Sequence, residues 1–274
     1  MSRESTFYHN KVTVVVGGAS GIGRALCLAL AQHGAVVVIA DLDVAAAEQV
    51  AESIRDNGQQ ANTYEVDATS AVQSENLMTN VIANHERIDY LFNTAGMGIW
   101  GDVRDVTEQQ WHLILDANFW SVVRPTLAAY RKMAQCRSGH IVNLASLSGL
   151  LPVPTTIPYT AAKHAVVGFS LSLRDEAAGL GVKISVACPG PVQSEFHRRI
   201  LLVDENSGSR KIPDGAIDVD TAADEILSAT LINQRLVVFP SRFRWKWRFA
   251  SWLPGFWSRK AQAAANRMRN KKSR

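Results

Sequence analysis

Cysteine is scarce in this sequence of 274 residues: Cys27, Cys136 and Cys188 are scattered, odd in number and without C-x-x-C spacing. That excludes a disulfide framework or a thiolate metal site and reads as reduced residues of an intracellular, cytoplasmic protein. A run of about eighteen apolar residues, the minimum for a membrane-spanning helix, is also missing. The polar start from Met1 to Asn10 lacks the apolar stretch of a signal peptide. No metal is expected, because His112, His140 and His164 have no ligand spacing and read as packed or surface residues. Acidic residues stop at Glu225. Residues 226–274 hold 12 basic and no acidic residue, whereas residues 1–225 hold 17 basic and all 25 acidic ones, a net charge of −8. A mildly acidic body thus carries a cationic tail.

The body alternates two periodicities. A β-branched run from Lys11 to Val16 meets Gly17-Gly18-Ala19-Ser20-Gly21-Ile22-Gly23, a helical pattern runs to Gly34, and a second apolar run ends at Asp41. Strand, glycine turn, helix, strand and then an acid form the pattern of a dinucleotide-binding βαβ unit. Gly17 permits a tight turn, Gly21 lets the backbone approach a pyrophosphate, and Gly23 allows close helix packing. The pyrophosphate would rest on the helix N-terminus, where free N–H groups favour an anion. Taken alone, the glycine spacing also fits a plain turn.

Further helices are predicted over Val44–Asn57, Ala71–His85, Thr107 toward Cys136, and Pro158 to about Gly179. Strands are predicted over Ala61–Val66, Ile88–Phe92, His140–Leu144 and Val182–Ala187. Repeated βα units imply one doubly wound, Rossmann-type α/β domain over 1–240, with a mostly parallel sheet and helices on both faces. Residues 241–274 form a basic, Trp-rich extension. In such a sheet, ligands bind beyond the carboxyl ends of the strands. Gly17 to Gly23, Asp41, Asp67, Asn93 to Gly96, Ser146 and Pro189-Gly190 all fall at such ends.

Tyr159 and Lys163 are four apart and share a helix face. An ammonium near a phenol favours the phenolate, which makes the phenol a general acid/base, although Tyr-x-x-x-Lys can equally mark a solvated face.

With Gly17-x-x-x-Gly21-Ile22-Gly23, Asp67, Asn93-x-Ala95-Gly96, Asn118, Ser146, Tyr159-x-x-x-Lys163 and Pro189-Gly190 in place, the chain from Lys11 to Phe239 resembles the short-chain dehydrogenase/reductase family. It departs in having Val16 where the family usually has Thr, and Thr94 within the usual Asn-Asn-Ala-Gly. The resemblance implies hydride transfer between a nicotinamide cofactor and an alcohol or ketone. Tyr159 would be the acid/base, Lys163 would hold the nicotinamide ribose, Ser146 would bond the substrate oxygen, and Asn118 would hold a water leading from Lys163. It also implies that Gly17, Ser20, Gly21, Ile22, Gly23, Asn93, Ala95, Gly96, Pro189 and Gly190 line the cofactor, that Asp67 and Ala68 flank the adenine, and that Val192 faces the nicotinamide amide. A homo-oligomer built through the long helices is implied too.

Asp41 favours NAD over NADP, since a carboxylate accepts from the ribose hydroxyls and repels a 2′-phosphate. Ser20 is neutral there, and Arg24 reads as a surface residue. Asp102, Asp105 and Glu108 read as loop and helix-start acids. Met97, Ile99, Trp100, Leu147, Leu150, Leu151, Pro152, Val153 and Pro154 suit a lipophilic alcohol or ketone, or ordinary packing. Phe196 to Gly215 is expected to be a mobile substrate-side segment. An NADP-dependent carbonyl reductase and a non-catalytic dinucleotide-binding protein are the alternatives.

In the tail, Arg242-Phe-Arg-Trp-Lys-Trp-Arg-Phe249 alternates base and aromatic. A strand would place Phe243, Trp245, Trp247 and Phe249 on one face; a helix would align Trp245, Phe249, Trp252 and Phe256, broken at Pro254-Gly255. The composition suits an anionic membrane surface. Packing of the aromatics on the body or a sister subunit, and disorder of the basic end over Arg267–Arg274, are alternatives. No nucleic-acid recognition motif accompanies the charge, so no such partner is expected.

Overall fold

The computed structural model describes residues 3–203 and 215–272. The first half comprises α1 (Arg3–Tyr8), β1 (Val12–Val16), α2 (Gly21–Gln32), β2 (Val36–Asp41), α3 (Val44–Asp56), β3 (Gln60–Glu65), α4 (Ala71–His85) and β4 (Tyr90–Asn93). There follow β5 (Ile99–Trp100), α5 (Glu108–Leu115), α6 (Ser121–Gln135), β6 (Gly139–Leu144), α7 (Ile157–Glu176), β7 (Val182–Pro189) and β8 (Leu201–Leu202). The chain closes with α8 (Val219–Leu231), β9 (Leu236–Phe239), α9 (Ser241–Trp252) and α10 (Pro254–Lys272).

Among the described residues, one seven-stranded parallel sheet has the order β3-β2-β1-β4-β6-β7-β9, and β5 pairs with β8 separately. The central strands β1 and β2 read as near-continuous β-branched runs because helices cover both faces of a parallel sheet. All five residues of β1 are buried, with Val14 and Val15 at 0% exposure. Strand order reverses between β1 and β4, which opens a crevice at their carboxyl ends. The doubly wound fold expected from the sequence is present.

The helix expected from Thr107 toward Cys136 is interrupted. Thr107 and Gln110 close a capping box on α5, as its N-cap position suggests, but Asp116–Trp120 forms one π-helical turn before α6. α8 and β9 add a last βα step that the sequence reading did not place. Its start is marked by Asp218, whose carboxylate accepts the Thr221 N–H at 2.7 Å.

A buried polar network holds α7 to the sheet. Asn143 on β6 donates to Ser170 on α7 at 3.0 Å, and accepts from Thr126 on α6 and from Asn93 on β4. Fully buried amides bonded to one another across four elements fix their relative positions. No described helix is long and apolar enough to cross a membrane.

The tail is helical from its start. The strand alternative is overturned: Phe243 and Trp247 pack on the hydrophobic cluster of Val122, Val166 and Val238, while Trp245 and Phe249 point away and are exposed. The break falls at Leu253, before Pro254 opens α10. Of the segment expected to be mobile, residues 204–214 lie outside the described residues, as do the side chains of the basic end over 267–274.

Candidate active site

The glycine turn after β1 is built by close backbone approach. Gly17 has φ +81°, and a β-carbon on it would lie 2.7 Å from the Ala95 nitrogen. A β-carbon on Gly23 would lie 2.1 Å from the Gly17 oxygen, so α2 packs against the turn only because that carbon is absent. Ser20 stands at the N-cap of α2, but its hydroxyl makes no capping bond. The first N–H groups of α2 are thus left for an anion. The Thr94 hydroxyl donates to Val16 O at 2.8 Å and Gly17 O at 3.0 Å. Thr94 thereby ties the turn from the opposite strand, where Val16 has no hydroxyl to do so.

Asp41 ends β2 with its carboxylate turned to the turn: it accepts from Ala19 N at 2.9 Å and from Asp43 N at 3.1 Å. The π turn places Asn118 beside the β4 end. Asn118 donates to Met97 O at 2.8 Å and Ile114 O at 3.0 Å, and accepts from Met97 N at 3.2 Å. Both amide hydrogens are spent on carbonyls, so a water at this point has the remaining Oδ1 lone pair and the main chain to bind. Gly96 lets these groups converge: a β-carbon there would lie 2.7 Å from Asn118 Oδ1 and 3.4 Å from Lys163 Nζ.

Tyr159 and Lys163 share the inner face of α7, with Nζ 5.7 Å from the centroid of the phenol ring. Lys163 is buried and donates to Leu144 O at 3.0 Å. Burial lowers its pKa to about 8, with the Cys188 thiol nearby. That thiol is itself held up at about 12 by burial, so it stays protonated beside the ammonium. Ser146 follows β6 and accepts the Ser148 N–H at 3.1 Å. Gly149 seats this loop on α7, since a β-carbon there would meet Lys163 O at 2.6 Å.

A cavity of about 580 Å³ gathers most of the expected residues: Gly17, Ser20, Gly21, Ile22, Gly23, Asp41, Ala95, Gly96, Ser146, Tyr159, Lys163, Pro189, Gly190 and Val192. Four of the expected residues do not line it. Asn118 stands behind Gly96, as above. Asn93 is turned into the core, donating to Thr126 and Asn143 at 2.9 Å each. Asp67 accepts from the Thr69 N–H at 2.8 Å and from its hydroxyl at 2.6 Å, and Ala68 is buried beside it.

Met97, Leu147, Leu151 and Val153 of the expected apolar set line the cavity; Ile99, Trp100, Leu150, Pro152 and Pro154 do not. Thr94 lines it within the expected strand end Asn93 to Gly96, and Phe196, His197 and Arg199 line it from the segment expected on the substrate side, whereas the sequence reading did not place the tail residues Phe243 and Trp257 there. Phe196 lies against Tyr159 with ring centroids 5.7 Å apart. Phe243 was in view only as a tail aromatic, and its helical spacing from Trp247 was the signal that could have turned it inward.

The geometry suits a dinucleotide: two glycines whose β-carbons would collide, uncapped N–H groups, an acid closing β2 and a buried ammonium face one cavity. Comparison with known proteins agrees. Residues 11–202 match the family model described as short chain dehydrogenase. The chain is 32% identical over 198 residues to 2-(S)-hydroxypropyl-CoM dehydrogenase 3 of Xanthobacter autotrophicus, covering 72% of this chain and 78% of that one. It is 30% identical over 193 residues to cyclopentanol dehydrogenase of a Comamonas species, covering 70% and 77%. Its fold is similar to that of a short-chain dehydrogenase/reductase from Burkholderia phymatum crystallised with NAD, at a TM-score of 0.80 and 24% identity over 88% of this chain and 92% of the other. The chain belongs to the short-chain dehydrogenase/reductase family and is an NAD(P)-linked oxidoreductase acting on CH–OH groups.

Proposed function

We propose that the protein interconverts a lipophilic secondary alcohol and its ketone with NAD as the preferred dinucleotide. The observation that carries this reading is that one cavity is lined both by Gly17, Ser20, Gly21, Ile22, Gly23 and Asp41 and by Ser146, Tyr159 and Lys163. When bound, the nicotinamide supplies the hydride acceptor or donor.

The chain's own residues do the rest. Tyr159 takes the hydroxyl proton in oxidation and returns it in reduction. A free phenol titrates at about 10, so it needs the positive charge of Lys163 to ionise near neutral pH. Lys163 has one hydrogen-bond partner among the described residues, Leu144 O, which leaves two ammonium hydrogens for ribose hydroxyls in the cavity. Ser146 donates its hydroxyl to the substrate oxygen while keeping its bond from Ser148. Asn118 positions Met97 and Gly96 against Lys163 and offers an acceptor for a water that relays the proton.

Asp41 supports NAD. Its carboxylate closes the end of β2, and among the described residues the only Lys and Arg lining the cavity are Lys163 and Arg199, neither from the glycine turn or β2. Asp67 and Ala68 would flank the adenine from the end of β3. On the substrate side, Leu147, Leu151, Val153, Phe196, Phe243 and Trp257 make an apolar wall. The names of the two relatives, a 2-(S)-hydroxypropyl-CoM dehydrogenase and a cyclopentanol dehydrogenase, agree with a secondary alcohol.

A screen of NAD and NADP against secondary alcohols of increasing chain length and ring number, followed by the absorbance of the reduced nicotinamide, tests this reading. Turnover that rises with substrate lipophilicity and prefers NAD supports it. Absence of turnover with every alcohol and with the matching ketones in reverse contradicts it.

A further inference from the structure

We propose that α9 and α10 dock on an anionic membrane surface through their outer face while their inner face walls the cavity. α9 carries two stripes on opposite sides. Phe243, Trp247 and Ala250 recur at helical spacing and face the body, with Ala250 buried. Trp245, Phe249 and Trp252 have the same spacing on the other side and are exposed, Trp245 to 64% and Trp252 to 86%. Leu253 and Phe256 extend this patch across the helix break. The Phe256 ring meets Phe249 edge-on with centroids 5.9 Å apart. Large apolar side chains clustered in this way differ from the singly scattered ones of an ordinary surface.

Charge identifies the occupant. Arg248 stands over Trp245 at 5.8 Å, and Lys260 over Phe256 at 4.7 Å. The sequence holds no acid beyond Glu225 to pair with them. Among the described residues, Lys246, Arg248, Arg259 and Lys260 make no ion pair. Tryptophan interleaved with bases is the composition of a helix lying at headgroup level. Each base near an anionic leaflet contributes about a fivefold gain in affinity. The rest of the chain, net −8 over residues 1–225, is repelled by such a surface, which turns the protein tail-first toward it. A symmetric contact with a second copy would instead press the patch against itself and set base against base.

The same helices reach the cavity. Trp257 on α10 lines it and donates from Nε1 to Pro152 O at 3.4 Å. The docking element is therefore part of the cavity wall.

The test is co-sedimentation of the full chain with phosphatidylcholine vesicles and with vesicles in which roughly a third of the lipid is phosphatidylglycerol. It is repeated on Trp245→Ser/Trp252→Ser/Phe256→Ser, which keeps the inner stripe and the cavity. Sedimentation velocity without lipid is run on both proteins. We expect binding to the anionic vesicles to exceed that to the neutral ones at least about tenfold, and to fall about tenfold in the variant. The sedimentation coefficients of the two proteins should be the same. Equal pelleting with both vesicle types, or of both proteins, overturns the proposal. So does a variant that sediments as a smaller species, because the patch is then an interface between copies. No substrate is used, so this result is independent of the dehydrogenase reading.

Discussion

The ring of Phe243 rests on Gly190: a β-carbon at Gly190 would lie 2.6 Å from the ring's Cδ2. One residue belongs to the loop that closes β7, the other to the first turn of the C-terminal helices. The contact joins the tail to the side of the cavity where Pro189 and Gly190 stand.

Phe243→Ala should therefore act on substrate size. Losing most of a half-buried phenyl face should raise KM for a long or ring-bearing alcohol roughly tenfold. For a short alcohol, kcat should stay within about twofold. Steady-state kinetics over a chain-length series, with circular dichroism confirming the fold, checks this; an equal rise in KM for every alcohol would remove Phe243 from the substrate wall.

Asp41→Asn keeps an acceptor for the Ala19 N–H but removes the charge. The repulsion between a carboxylate and a 2′-phosphate should disappear with it. The ratio of kcat/KM for NADP to that for NAD should rise about a hundredfold. An unchanged ratio would show that Asp41 only braces the glycine turn.

His140 gives the fold a pH dependence. Burial, aided by Lys183 and Arg174, lowers its pKa from 6.5 to about 3, and its ring bonds the Ser185 hydroxyl at 2.9 Å. The unfolded chain binds a proton below pH 6.5 that the folded chain refuses, so this contribution is fully present above that pH and is lost as pH falls toward 3. Between pH 6.5 and pH 5 it should cost about 2 kcal/mol. Urea unfolding at both pH values should show that loss in the wild type and a smaller one in His140→Gln. Equal losses would place the titration elsewhere.

The cradle was legible in the sequence because each of its parts is local. β1, Gly17 to Gly23, α2 and Asp41 follow within one βαβ unit, and Tyr159 and Lys163 sit one turn apart on α7. What escaped was non-local or ambiguous in period. Asn93 sits at a strand end like its neighbours, yet its partners Thr126 and Asn143 lie 33 and 50 residues away, and they draw it into the core. Alternating bases and aromatics from Arg242 to Phe249 fit a strand as well as a helix, and only the helix turns Phe243 and Trp245 to opposite sides. The π turn at Asn118 follows a continuous helical pattern and leaves no mark in hydrophobic period.

Tyr159→Phe removes one oxygen and leaves the ring that packs on Phe196 and lies near Lys163. Its turnover is best measured beside a titration of dinucleotide binding on the same preparation. A loss of about 10³ in kcat with dinucleotide affinity held within about threefold would establish the phenol as the acid/base. Turnover within about threefold of the wild type would contradict it.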